Sequence, residues 1–212
     1  SDLVFYNFPN LNYFPSPSPA DKPFDLVYRG GLSERAGTYI LLDALRILAA
    51  NGKSAKLFLL GYFDGPADEA VLRRRIRDFG IAENVTIRGR IDHEEMAAAL
   101  AEARIGISPL QAIPKFLLNI PVKIFEYWAC GLPVIASDLP SIRPFFRNTR
   151  AGILFPPTDA HELARSIEWM LDHPEAAAEM GRQGRLAVAK RFNNRKESER
   201  FRRFCMRIAS DC

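Results

Sequence analysis

Short apolar runs alternate with longer stretches of helical spacing along the chain from Phe24 onward. Each run is four or five residues long and nearly continuous in its apolar character, as at positions 134–136. Strands that are covered by helices on both faces show such continuous runs. We therefore predict six strands, at 25–29, 56–60, 85–88, 105–108, 133–136 and 152–155.

The segments between these runs have the apolar spacing of helices, and Asp159 is placed to cap the helix that contains Glu162. Strand–helix–strand alternation predicts an α/β fold, a doubly wound Rossmann-like parallel sheet of about six strands with helices on both faces. Two further helices end the chain. The predicted helices lie at 37–50, 68–79, 93–103, 122–129, 160–171, 174–192 and 193–210.

The first residues differ from the rest, because five of the 15 prolines fall within the first 23 positions. Proline fixes φ and keeps the preceding residue out of the helical region. We therefore predict an interdomain linker at 1–22 that is not a core element, a domain at 23–192 and a return helix at 193–212.

The composition of the 212 residues is that of an ordinary globular protein, with 48% hydrophobic and 25% charged residues. It excludes collagen, coiled coils and disordered chains, and no apolar run approaches the roughly 18 residues that a membrane helix needs. We therefore expect no signal peptide. Cys130, Cys205 and Cys212 form no disulfide framework and no metal-ligand spacing, so we predict structural thiols and a cytoplasmic location.

The net charge of +4 is unevenly spread, since ten Arg or Lys and two Glu fall within 182–207. This basic tail is compatible with a solvated helix face, an acidic partner, nucleic acid or an anionic membrane surface. Phe201, Phe204 and Ile208 have the three-four spacing of a packing stripe, which argues against nucleic acid. A peripheral contact with the inner face of a membrane remains an alternative for the basic face.

The first candidate site is the glycine-rich loop at 30–37, which follows the first predicted strand. Leu32 occupies a position where a dinucleotide fingerprint needs glycine, and no Lys-Ser/Thr pair ends the loop as in a P-loop. Hydride transfer and ATP hydrolysis therefore lose support. Gly30 and Gly31 still let backbone N–H groups approach an anion, and Arg35 adds charge where the next helix begins. The alternative is a tight turn with an exposed arginine.

The second candidate site is the predicted helix at 122–129, which is apolar except for Lys123 and Glu126, three residues apart on one face. A cation near the start of a helix and an anion toward its end each oppose the helix dipole by roughly 0.3–1 kcal/mol. This placement favours a ligand, with Lys123 at an anion site and Glu126 accepting hydrogen bonds from hydroxyl groups. The alternative is a structural Lys–Glu pair.

The segment from Glu126 to Ser137 resembles the E-x-M-A-x-G-x-P-V-I-A-S signature of glycosyltransferase family 4, a group 1 family, with Trp128 for the usual Met. Weaker likenesses lie at 152–163, at 85–91 and in the Asn-Phe-Pro tract at 7–9. The chain thus resembles, over about residues 4–192, the C-terminal donor-binding domain of a retaining glycosyltransferase with the GT-B fold.

The resemblance implies roles for particular residues. Glu126 matches the second Glu of the family's E-x7-E motif, which binds the ribose hydroxyls of the donor. The turn at Arg90 and Ile91 matches the segment that holds the nucleotide base. The loop at 30–37 matches the G-R-L-x3-K-G loop that grips the diphosphate, so that Gly30 and Gly31 belong to the donor site.

Three positions depart from the family pattern. Leu118 stands where the first Glu of E-x7-E is expected, Gly31 where the loop Arg is expected, and Ala36 where the loop Lys is expected. Asn119 or Lys123 is then the candidate contact to the donor sugar. Diphosphate binding and charge stabilisation would depend on Arg35 and Lys123, the two residues we predict to be catalytic.

The implied activity is transfer of a sugar from a nucleoside-diphosphate sugar to an acceptor hydroxyl, with retention and without a metal or a cofactor. Cell-surface polysaccharide biosynthesis is the implied setting. The partners are the nucleotide sugar and an N-terminal acceptor domain that this chain lacks, so the isolated chain is expected to be inactive; nucleic acid is not expected. The alternative is a non-catalytic scaffold module with a decayed donor site.

Overall fold

The computed structural model describes residues 4–15, 22–63 and 65–210. It confirms the predicted α/β class, with a six-stranded parallel sheet in the order β3-β2-β1-β4-β5-β6. The strands are β1 Phe24–Gly31, β2 Leu57–Tyr62, β3 Val85–Arg88, β4 Ala103–Ser108, β5 Val134–Ser137 and β6 Gly152–Phe155.

Helices cover both faces of the sheet. They are α1 Thr38–Ala50, α2 Pro66–Asp78, α3 Met96–Ala101, α4 Pro114–Leu118, α5 Val122–Ala129, α6 Arg143–Arg147, α7 Ala160–Asp172, α8 Pro174–Lys190 and α9 Asn194–Ser210. The backbone N–H of Glu162 donates to the Asp159 carboxylate over 2.9 Å, so the predicted cap of α7 is confirmed.

The observed elements differ from the predicted ones mainly in the short helices. Helices α4 and α6 have five residues each, too few for an apolar period to show in the sequence. Helix α3 begins at Met96 and not at residue 93, because the backbone at 92–95 forms a turn in which the N–H of Glu95 donates to the carbonyl of Asp92.

Side chains of the central strand β1 alternate between two apolar layers. Leu26 and Tyr28 face the layer that contains α1 and α7, whereas Val27 faces the layer that contains α5. In the second layer Trp128 is fully buried, and its indole N–H donates to the carbonyl of Ala151 over 3.0 Å. These two layers fix the relative positions of β1, α1 and α5, which surround the candidate site.

The prediction that residues 1–22 contribute nothing to the core is wrong for the described residues 4–15. Phe8 and Phe14 are buried among core side chains, and the carbonyl of Pro9 accepts a hydrogen bond from the N–H of Asn194 over 3.0 Å. Proline prevents helix formation in this segment, but it does not prevent the neighbouring aromatic rings from packing on the domain. The proline-rich part at 16–21 lies outside the described residues.

Helix α9 is attached to the domain at its beginning. The buried Glu197 carboxylate accepts a hydrogen bond from the N–H of Tyr6 over 3.2 Å and pairs with Arg200 at 2.7 Å. Farther along the helix, Phe201 and Ile208 of the predicted stripe are exposed. No helix in the described part of the chain has the length and apolar character required to cross a bilayer.

The thiols differ in their surroundings. Cys130 is buried, and burial raises the pKa of its thiol to about 12. Cys205 is exposed, so the prediction of a structural thiol is wrong there, because the residue lies on the solvated part of α9. Cys212 is outside the described residues.

Candidate functional site

Strands β1 and β4 lie side by side in the middle of the sheet, and the chain leaves them in opposite directions. Strand β1 is followed by β2 on one side, and β4 is followed by β5 on the other. Open α/β sheets bind ligands at such a switch point, beyond the carboxyl ends of the strands. A cavity of about 430 Å³ lies there, the switch-point cleft, and its polar and glycine lining includes Asn7, Arg29, Gly30, Gly31, Ser33, Arg35, Lys115, Asn119 and Lys123.

One buried side chain joins the three elements that form this cleft. The hydroxyl of Tyr127, on α5, accepts a hydrogen bond from the N–H of Arg29 at 2.8 Å and donates to the carbonyl of Ile107, on β4, at 3.3 Å. The carboxyl end of β1 is therefore held against α5 and β4.

Two glycines define the path of the backbone, one at the carboxyl end of β1 and one in the loop that follows. Gly30 has φ of +139°, and a Cβ there would lie 3.0 Å from the Lys123 Nζ. Gly37 has φ of +83°, and its Cβ would lie 1.7 Å from the carbonyl oxygen of Pro109. A side chain at either position would be strained, so this loop requires glycine for its close approach to α5 and to the end of β4.

Lys123 is a buried cation whose amine lies in the lining of the cleft. Its Nζ lies 4.2 Å from the centre of the Tyr28 ring, a cation–π contact. The pKa of Lys123 is lowered to about 7, chiefly by burial and also by the charge of Arg29, while the charge of Glu126 opposes the shift. An anion in the cleft would favour the charged form of this lysine.

Glu126 lies beneath the cleft and is 3% exposed. Its Oε2 is 3.3 Å from the Nε of Arg29, close enough for an ion pair, but this oxygen accepts no hydrogen bond from the groups that the structure describes. Burial raises the pKa of Glu126, and Arg29 is the largest of the charges that oppose this shift. No ion pair joins Lys123 to Glu126 within the described residues, so the alternative of a structural Lys–Glu pair loses its basis.

The structure brings five of the predicted site residues together in the lining: Gly30, Gly31, Arg35, Asn119 and Lys123. Glu126 is not part of this lining, but it pairs with Arg29, which is. Arg90 and Ile91 lie outside the lining. The Arg90 guanidinium is 4.7 Å from the ring centre of Tyr62, which does line the cleft, whereas Ile91 packs against the core.

Sequence reasoning missed four polar residues of the cleft, Asn7, Arg29, Ser33 and Lys115. Arg29 carried a signal, because it interrupts an apolar strand at its carboxyl end. The signal for Lys115 was weak, since it lies on a helix too short to predict. Four basic side chains therefore surround the cleft, those of Arg29, Arg35, Lys115 and Lys123. No Asp or Glu is found in the part of its lining that the structure describes. Such a cavity suits an anion.

The model of the family "Glycosyl transferases group 1" matches residues 23–173, more than two thirds of the chain. The chain belongs to this family. As predicted, it corresponds to the C-terminal half of a GT-B glycosyltransferase.

This chain spans only part of the length of the proteins that it resembles. The amylovoran biosynthesis glycosyltransferase AmsK of Erwinia amylovora is 32% identical over 144 residues, covering 68% of this chain and 35% of AmsK. A sucrose-phosphate synthase from Thermosynechococcus elongatus is 26% identical with a TM-score of 0.80, covering 96% of this chain and 51% of that one. The Anabaena protein HepE, solved in complex with UDP, has a TM-score of 0.83 at 20% identity, covering 96% and 57%, and shares the fold.

The three departures from the usual pattern of this glycosyltransferase family have different surroundings. Leu118 is 88% exposed at the end of α4, so its side chain contributes nothing to the packing there. Ala36 is buried in the wall of the cleft. Gly31 is open: a Cβ there would meet nothing closer than a ring carbon of Tyr62 at 4.0 Å, and its φ is not in the left-handed region. A larger residue would therefore fit at Gly31 without strain.

Proposed function

We propose that this chain is the nucleotide-sugar-binding domain of a glycosyltransferase that moves a sugar from a nucleoside-diphosphate sugar to an acceptor hydroxyl, with retention and without a metal. The observation that carries the proposal is the set of four basic side chains around the glycine-lined switch-point cleft, whose described lining holds no acidic residue. A diphosphate is the part of such a donor that needs this charge.

The proposed roles follow the positions of the residues. Arg35 and Lys123 would stabilise the charge that develops on the leaving diphosphate, with the backbone N–H groups after Gly30 as further donors. Lys115 adds a further cation to the lining. Asn119 would contact the sugar, because it lies in the lining next to the start of α5.

The nucleoside would lie toward the other end of the cleft. The Oε2 of Glu126, which accepts no hydrogen bond from the described residues, is proposed to accept from the ribose hydroxyls after Arg29 shifts, and the turn at Arg90 and Ile91 to hold the base. The acceptor would be bound by an N-terminal domain outside this chain, so the chain alone should bind nucleotide and transfer nothing. Because AmsK is an amylovoran biosynthesis enzyme by name, polysaccharide assembly is the setting we favour.

A non-catalytic scaffold module is the second candidate, favoured by the absence of charge at Gly31, Ala36 and Leu118. The two candidates differ in nucleotide affinity. A decayed site should bind no nucleotide even at millimolar concentration, whereas a working donor site should bind the nucleoside diphosphate of its donor.

Calorimetric titration of the wild type and of Glu126→Ala with UDP, GDP and ADP tests the donor site. We expect one nucleotide to bind the wild type and about tenfold more weakly to the variant, because a hydrogen bond to a charged group is lost. An exposed carboxylate, Glu83, gives the matched control Glu83→Ala, which should leave the affinity unchanged. Equal affinity of the wild type and Glu126→Ala would remove Glu126 from the site, and no heat with any nucleotide would favour the scaffold.

Gly31→Arg is expected to strengthen binding of the same nucleotide about tenfold, because it returns a cation to the loop at a position with room for it. Gly31→Gln is the control for side-chain size and should change the affinity less than about twofold. If Gly31→Arg leaves the affinity unchanged, the diphosphate does not lie at this loop.

We also propose a cytoplasmic location with peripheral contact at the inner membrane face. Arg202, Arg203 and Arg207 are exposed on α9 and supply the basic face that such a contact needs. Co-sedimentation with liposomes should require anionic lipid and should disappear at high salt; equal sedimentation with neutral liposomes would contradict an electrostatic contact.

A further inference from the structure

The extended segment before β1 separates two clefts. Asn7 lines the switch-point cleft, whereas its neighbours Tyr6 and Phe8 line a second cavity of about 290 Å³. This second cavity, the aromatic–basic cleft, is enclosed by the segment with Tyr6 and Phe8, by α6 and by the junction of α8 and α9. None of its lining residues in the described part of the chain is shared with the switch-point cleft, so the two are distinct sites.

One wall of the aromatic–basic cleft consists of rings. Tyr6 stacks on Phe8 at 5.2 Å between ring centres, and Phe145 meets Phe192 edge to face at 5.3 Å. Phe8 and Phe192 are buried, while Tyr6 and Phe145 keep part of their surface exposed. The wall is therefore a fixed apolar surface that a ligand can still reach.

The rest of the lining of this cleft consists of five basic residues and one acid, Glu197. Arg200 is already engaged, because it pairs with Glu197 at 2.7 Å and donates to the carbonyl of Val4 at 2.6 Å. Lys196 pairs with Glu199 at 3.2 Å. Lys190 and Arg203 make no ion pair with any acid in the ranges that the structure describes, and Arg191 lies over the Phe192 ring at 4.9 Å.

We propose that the aromatic–basic cleft binds the diphosphate group of an ester with an apolar chain. Cations held together without acidic partners repel one another, and a bound multivalent anion relieves that repulsion. A diphosphate matches the excess positive charge, and the aromatic wall gives an adjoining apolar chain a surface to cover. The existence of this binding site does not depend on the proposed function. A role for the site as the anchor of a phosphorylated acceptor does rest on the proposed function.

The test uses the 212-residue chain carrying Lys123→Ala, which removes a cation from the switch-point cleft and so weakens competing binding of the anion there. Inorganic pyrophosphate and geranyl diphosphate are titrated by calorimetry. Lys190→Gln/Arg203→Gln, introduced in the same background, changes two exposed side chains of the cleft. Arg74→Gln/Arg77→Gln removes the same charge from the exposed surface of α2 and serves as the matched control.

We expect the cleft variant to weaken both ligands about tenfold and the control to weaken them less than about twofold. Tighter binding of geranyl diphosphate than of pyrophosphate would identify a lipid-type ester, and equal affinities a free diphosphate; either result supports the site. Unchanged affinity in the cleft variant, or an equal loss in the control, would overturn the proposal. UDP titration of the wild type is read separately, so a failure of nucleotide binding would not be mistaken for a failure of this site.

Discussion

Methionine in place of Lys123 is expected to weaken UDP binding about tenfold to a hundredfold and, at the same time, to stabilise the fold. The amine lies in the lining of the switch-point cleft, so its loss removes a charged partner of the diphosphate. The same amine is buried next to the positive charge of Arg29, an arrangement that costs folding free energy without a ligand. Methionine keeps the length of the side chain and removes this cost.

The stabilisation should depend on pH in a defined direction. The pKa of Lys123 is lowered from 10.5 to about 7 in the folded protein, so between these values the unfolded chain binds more protons than the folded chain. The buried amine of Lys123 therefore destabilises the fold by its full amount below pH 7, and this destabilisation disappears as the pH rises toward 10.5. We expect Lys123→Met to gain about 1–3 kcal/mol near neutral pH and almost nothing at the alkaline end.

Urea unfolding of the wild type and the variant across this pH range measures the gain, and UDP titration measures the loss of affinity. Lys56→Met is the matched control, because Lys56 is exposed before β2 and distant from the cleft lining. It should change neither quantity. A Lys123→Met protein that is less stable than the wild type near neutral pH would show that Lys123 serves the fold and not a ligand.

The sheet could be predicted from the sequence because each strand is a short continuous apolar run that both layers of helices cover. The segment around Phe8 and Phe14 could not, since prolines indicate that a segment is extended but say nothing about where its aromatic rings pack. Helices α4 and α6 were not predicted for a different reason. Each is a single turn or slightly more, and an apolar period needs several turns to be detected.

The sequence predicted the candidate site at a helix whose charged residues do not fit its apolar character. Two charges on the apolar helix α5 singled out Lys123 and Glu126, but the sequence presented them as partners of each other. The structure separates them: Lys123 faces the cleft, whereas Glu126 pairs with Arg29, which comes from a distant part of the chain. Such a long-range pairing leaves no local pattern, and Arg29 could be recognised as a site residue only after β1 was placed beside α5.

Replacing Arg29 by methionine is expected to destabilise the domain by about 2–3 kcal/mol at neutral pH, because it leaves the Glu126 carboxylate buried without its ion pair. This loss of stability is smaller than that for a fully buried pair, because the Arg29 side chain is 30% exposed and solvent screens part of the interaction. Burial already raises the pKa of Glu126, and loss of Arg29 removes the largest opposing charge. The folded variant should therefore hold a proton on Glu126 to a higher pH than the wild type does.

A raised pKa makes the penalty grow with pH. Above the ordinary value of 4.5 the unfolded chain releases the Glu126 proton more readily than the folded variant does, so stability is lost as the pH rises through this window. Urea unfolding near that value should show little difference between Arg29→Met and the wild type, and the difference should widen toward neutral pH. Arg104→Met is the control, because Arg104 lies 3.8 Å from Asp25 in a pair whose arginine is 58% exposed, and its loss should cost less than about 0.5 kcal/mol.

The double variant Arg29→Met/Glu126→Gln separates the buried charge from the packing of the arginine stem. If the uncompensated carboxylate is the cause, glutamine should restore most of the lost stability and remove its pH dependence. A double variant as unstable as Arg29→Met would instead assign the loss to packing. Restoration would mean that Arg29 keeps Glu126 ionised beneath the cleft, in the form in which both carboxylate oxygens can accept from hydroxyl groups of a sugar.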